Sequence, residues 1–218
     1  MKMTPNAKRK LTLVGCALAL CLPMVLAVSP AIAFSEADVS KLKSGHACEK
    51  CNLRDAHLTG ANLSGANLAH AIWTGATLTG ADLSRADLER ASLTKASLTK
   101  ADLTRADLTR ADLAFASLIN ANLTFANLTK ANLWDADLYR ANLTISDLTG
   151  ATLINANLSN ANLTSAKLGG AFLYNAKLSG ANLPSANLGG ADLSGADLSG
   201  ATWTDGRKCA KGSIGKCK

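Results

Sequence analysis

Gly45-His46-Ala47-Cys48-Glu49-Lys50-Cys51 is the one stretch of this 218-residue chain whose residue types and spacing fit reactive chemistry. A Cys-x-x-Cys pair can act as a dithiol redox couple, as half of a zinc site, or as a short disulfide. His46 stands two residues before Cys48 and would supply a third metal ligand. Haem attachment is excluded, because Asn52 rather than His follows Cys51. The other histidines, His57 and His70, neighbour no nucleophile, and the chain carries neither a G-x-S-x-G elbow nor a Gly-rich phosphate loop. No catalytic residue and no cofactor is assigned on this basis, and the chain reads as non-enzymatic.

The cysteines stand at the start of a repeat that runs to Asp205. Taking Ala61-Asn62-Leu63-Ser64-Gly65 as its unit, the central residue recurs every five positions from Leu53 to Trp203, thirty-one times without a break. The centre is Leu in all but two units, which have Trp73 and Trp203; the residue two before it is Ala except at Cys51 and Ser146. An α-helix advances about 100° per residue, so a five-residue period scatters the Leu residues around the whole cylinder. A continuous strand fails too, because five is odd and successive centres would face opposite sides. The period demands a short extended piece holding Ala and Leu on one side, then a two-residue bend that restarts the pattern. Those bend positions hold Ser or Thr followed by Gly, Asn, Lys or Arg, with Gly last in ten of the thirty-one units. The residue between Ala and Leu is mostly Asn or Asp and points outward. Continued backwards, the repeat puts Cys48 at a centre and Cys51 at the Ala position, both facing inward.

Unbroken A-(N/D)-L-x-x over about 155 residues resembles the pentapeptide-repeat family. The resemblance implies an all-β solenoid: a right-handed quadrilateral parallel β-helix, four pentapeptides per coil, with centres and Ala residues filling an interior that has no room for a substrate. Thirty-one units make just under eight coils, a rod of about 37 Å at the usual strand spacing. A disulfide needs Cα atoms within about 7 Å. On a rod of that length, Cys48 and Cys51 at one end cannot pair with Cys209 and Cys217 at the other, so pairing is within each end or between molecules.

The flanks divide the chain further. Residues 1–33 combine a basic start (Lys2, Lys8, Arg9, Lys10), an apolar run from Leu11 to Val28 and Ala31-Ile32-Ala33 before Phe34, the grammar of a cleaved secretory signal. The run is 18 residues long and contains Pro23, short of the roughly 20 apolar residues a retained span needs. Export to the periplasm is the expectation, with a thylakoid lumen or the extracellular medium as alternatives and no membrane span after cleavage. The formal charge of +7 then falls to +3, nineteen basic against sixteen acidic residues. In an exported protein the Cys48/Cys51 pair is expected to be structural, oxidised or simply buried, ahead of a metal or redox role. Residues 34–47 form an N-terminal cap, with a short helix started by Ser35 and ended at Gly45. The repeat covers 48–205, and 206–218 is a basic, solvated tail that protects the open end, looped by Cys209 and Cys217.

Two surface features stand out from the repeat. Arg85, Arg90, Lys95, Lys100, Arg105 and Arg110 fill the last position of six consecutive units, but Asp82, Asp87, Glu89, Asp102, Asp107 and Asp112 interleave with them. That reads as a solvated belt of zero net charge rather than a nucleic-acid grip. A twenty-residue spacing returns to the same face one coil later. Trp134, Ile154 and Tyr174 share one outward position at that spacing, with Phe115 and Phe172 on the same face; Ile119 and Tyr139 pair on the next face, Phe125 and Ile145 on the third. Large apolar groups in register mark an interface with itself or with a protein partner. The alternatives are metal or thiol-redox work at His46, Cys48 and Cys51, or the DNA-mimicking topoisomerase binding that the family resemblance raises; an export signal and a positive mature charge argue against the last.

Overall fold

The computed structural model describes residues 35–45 and 47–218; the expected leader over residues 1–33 and the candidate ligand His46 lie outside the described residues. Among the described residues one helix forms, α1 (Glu36–Gly45), and no helix is long and apolar enough to cross a membrane. Ser35 caps α1, its Oγ accepting the Asp38 N–H at 3.1 Å, and Glu36 and Asp38 sit at the positive end of the helix dipole. Leu42 is fully buried, with Val39 packed partly against the core. Two bonds tie this end to the first coil: Asn52 N–H donates to Asp38 Oδ2 at 2.9 Å, and Ser35 N–H to Asn52 O at 3.0 Å.

From residue 47 onward the residue between Ala and Leu pairs in parallel with the residue twenty positions later, from Ala47 with Asn67 to Asn182 with Thr202. Twenty residues therefore make one coil of four five-residue sides. Each side is too short for a longer ladder, because the chain bends after every extended pair. In one representative side, Leu103 N–H donates to Asn122 O at 2.7 Å, Asn122 N–H to Ala101 O at 2.9 Å, and Arg105 N–H to Thr124 O at 3.0 Å. The bend is closed by the Ala106 N–H donating to Leu103 O, three residues back, at 3.0 Å. Its third residue is left-handed in every unit from Lys50 to Gly200, with φ between +51° and +61° wherever it is not Gly. Gly is permitted at this position by its freedom; Phe115, Phe125 and Ile145 are held there against steric cost.

Leu and Ala columns fill the interior. Trp73 is buried among them with its Nε1 lacking a partner, and buried Ser146 at an Ala position donates Oγ–H to Leu143 O at 2.7 Å. The far end departs from the expectation of a solvated tail. Residues 206–218 fold back antiparallel, Lys208 on Thr202 and Ile214 on Asp197, with Leu198 N–H donating to Ser213 O at 2.8 Å and Gly200 N–H to Cys209 O at 3.0 Å. Cys209 and Ser213 are buried while the lysines stay in solvent. The reason is the row of unpaired donors that the last coil leaves on its open edge. The tail has no Ala-x-Leu units with which to continue in parallel, so the Asp205-Gly206 bend returns it the other way. It covers two of the four sides; Leu188, Ala191 and Leu193 on the others remain half-buried.

Candidate functional site

The cysteine pair is closed. Cys48 and Cys51 are buried and bonded to each other with Cα atoms 5.2 Å apart, and Cys209 is bonded to Cys217 at 4.9 Å. Neither thiolate of the first pair is available as nucleophile or ligand in this state. Among the described residues no group of three or more His, Cys, Asp or Glu side chains is placed to hold a metal ion.

The charged belt has a finer structure than its net charge conveys. Of its six basic residues only Arg90 forms an ion pair among the described residues, with the adjacent Glu89 at 3.5 Å. The carboxylates are engaged elsewhere. Each Asp between Ala and Leu turns one oxygen back to the chain two residues on: Ser84 N–H to Asp82 Oδ1, Thr104 N–H to Asp102 Oδ1 and Thr109 N–H to Asp107 Oδ1, all at 2.9 Å. Asn does the same, as where Thr144 N–H donates to Asn142 Oδ1 at 3.1 Å. This Asx geometry explains why Asn and Asp interchange at the position, since the bond uses an acceptor oxygen and not a charge; the bend itself also forms where Ile72, Lys167 or Phe172 stands there. At Asp197 the Ser179 hydroxyl, at 2.6 Å, and then Ser199 hold the carboxyl below the ordinary carboxylate range.

The outward apolar residues fall on three sides. On the first, the Phe115 and Trp134 rings meet edge-on with centroids 4.8 Å apart, and Phe172 and Tyr174 are also exposed, with Ile154 half-buried in the column between Trp134 and Tyr174. On the next, Ile119 and Tyr139 are half-buried, and the Arg140 guanidinium lies 5.0 Å from the Tyr139 ring centre. On the third, Phe125 and Ile145 are exposed, and Arg105 covers Phe125 at 5.5 Å. Among the described residues the first side alone gathers five large apolar groups across four coils, with no cation over its rings. The side opposite carries an open groove around Arg85 and Arg105 that reading the belt as a whole did not single out.

No curated protein matches the chain in sequence. The family model described as pentapeptide repeats matches in eight copies over residues 51–76, 74–110, 106–144, 146–180 and 173–202. Among solved structures, the chain is similar to HetL, a pentapeptide repeat protein involved in heterocyst differentiation regulation from the cyanobacterium Nostoc sp. strain PCC 7120. The identity is 39%, the TM-score 0.62, and the match covers 74% of this chain and 76% of that one. It shares its fold with full-length QnrB1, a plasmid-mediated fluoroquinolone resistance protein, at 19% identity and a TM-score of 0.56, over 71% and 76% of the two chains. The repeating unit, the twenty-residue parallel register and these matches agree on a right-handed quadrilateral β-helix, and the chain belongs to the pentapeptide-repeat family.

Proposed function

We propose that this protein is an exported, non-enzymatic scaffold that presents its aromatic side to a protein, either another protein or a second copy of itself. The rod runs just under eight coils, with α1 as the lid of its first coil and the disulfide-closed tail as the lid of its last. One observation carries the reading: Phe115 and Trp134 in edge contact, with Ile154, Phe172 and Tyr174 on the same side. A repeat that needs only a turn-former at these positions gains nothing for its own fold by placing large apolar groups there. On a rigid ladder such groups are fixed relative to one another, which lowers the ordering cost of docking. Export is supported by the leader grammar of residues 1–33 and by an oxidised cysteine pair at each end, which suits a periplasmic compartment.

The test is the double variant Trp134→Glu/Tyr174→Glu, compared with the wild type by light scattering and by capture of envelope proteins. Loss of a dimer or of a captured protein at unchanged melting temperature is expected. Unaltered self-association and capture would overturn the stripe as the interface. Intact mass of the envelope-purified protein, starting at Phe34 and gaining four hydrogens on reduction, is the expected result for export and end-closing disulfides.

A further inference from the structure

On the side opposite the aromatic stripe, an open groove of about 640 Å³ runs along four coils from Ser64 to Phe125, a span of roughly 14 Å at the strand spacing. The floor is a column of hydroxyls: Ser64, Ser84, Thr104 and Thr124. Asp82, Asp102 and Asn122 form one wall; Arg85, Arg105 and Phe125 form the other.

The two walls hold unspent hydrogen-bonding capacity of opposite kind. Asp82 and Asp102 each commit Oδ1 to an Asx turn, and no bond within the described residues uses either Oδ2. Neither Arg85 nor Arg105 lies within ion-pairing distance of a carboxylate among the described residues. Acceptors therefore face donors across a gap that the protein does not close itself. A ligand filling it must donate to one wall and accept from the other at the two rungs, Asp82/Arg85 and Asp102/Arg105. An anion satisfies the arginines and is repelled by the aspartates; a cation meets the reverse. Vicinal hydroxyls do both at once and carry no charge, and hydrogen bonds to ionised partners are the stronger ones. An extended β-1,4-linked chain rises by close to one strand spacing per sugar with alternate sugars turned over, so one sugar meets each of the two Asp/Arg rungs, its hydroxyl-bearing edges facing the two walls in alternation.

From this we infer that the groove is a binding site for a neutral, extended oligosaccharide, separate from the protein-docking side. The probe is cellotetraose, titrated into the full chain and followed by backbone amide shifts, with maltotetraose as the curved counterpart and inorganic phosphate as the anion control. Saturable shifts confined to residues 64–65, 82–85, 102–105 and 122–125 are expected with cellotetraose, at millimolar affinity, and at least fivefold weaker with maltotetraose. Arg85→Ala/Arg105→Ala should weaken binding at least tenfold. Asp82→Asn/Asp102→Asn keeps the turn acceptors, and hence the fold, while removing the wall's charge, and should weaken it comparably. The inference fails if no saturable shift develops by about 10 mM sugar, roughly tenfold above the millimolar dissociation constant expected. It fails equally if both double variants bind like the wild type, or if phosphate gives the same shifts and displaces the sugar, which would make the groove a cationic patch.

Discussion

Ile145 occupies the left-handed bend position at φ +57°, exposed, where a β-branched side chain is in its least favourable region. A left-handed L-residue costs roughly 1–2 kcal/mol, and Asn tolerates that region best after Gly. Ile145→Asn is therefore expected to stabilise the protein by about 1 kcal/mol, raising the thermal midpoint by roughly 2–4 °C for a chain of this size. Interior positions respond in the opposite sense. Leu103 is fully buried with Leu above and below it, so Leu103→Ala should cost about 2–5 kcal/mol in urea melts. Ser146→Ala restores the repeat and leaves Leu143 O still bonded to the backbone N–H of residue 146 at 3.1 Å. Its effect should lie within about 1 kcal/mol of zero.

Caps decide the stability of the ends, because each coil contacts only its neighbours. Breaking the Cys209–Cys217 bond with Cys209→Ser/Cys217→Ser frees the antiparallel return and is expected to cost about 2–3 kcal/mol. The loss should be local. Hydrogen exchange should quicken at the amides of Leu198 and Gly200, which donate to the return segment, and stay unchanged at Leu103 in mid-rod. The same end is expected to be acid-sensitive. Asp197 has its carboxyl pKa depressed by the Ser179 and Ser199 hydrogen bonds, so its contribution is full above the unfolded-state pKa and is lost as pH falls through the folded one. Thermal melts should show the wild type losing stability below about pH 4. Asp197→Asn should flatten part of that loss, and an identical acid profile in the variant would count against the assignment.

For the whole molecule, the repeat separates fold from surface. Removing one pentapeptide, residues 141–145, keeps every remaining Leu and Ala facing inward but turns all later sides back by a quarter of a coil. Trp134 then no longer shares a side with Ile154 and Tyr174. The shortened rod should keep its circular dichroism and melt within a few degrees of the wild type, yet lose the self-association or protein capture assigned to the stripe. Retained capture would mean that composition, not register, makes the contact. A four-residue deletion at the same place should instead unfold the rod, since it throws the downstream Leu column out of the interior.

A strict period of five was enough to fix which residues face inward, because no helix or single strand can keep Ala and Leu on one side at that spacing. It also placed the outward columns, since four units per coil puts residues twenty apart on the same side; Trp134 and Tyr174 could be grouped from their numbers alone. The reach of the sequence ended where neighbours choose among partners. The acids at 82, 102 and 107 and the bases at 85, 105 and 110 count as a neutral belt in the sequence. Only the folded turns show the carboxylates bound to backbone N–H groups, with no carboxylate of the described residues in ion-pairing distance of Arg85, Arg105 or Arg110. The left-handed strain at Phe115, Phe125 and Ile145 was hidden for a related reason, since ladder bonds from the coils on either side hold φ where local preference would not. The C-terminal return was hidden too, because its strands pair with an edge that exists only once the last coil has formed. Periodicity records which way a side chain points, whereas pairing depends on the distances that tertiary structure alone sets.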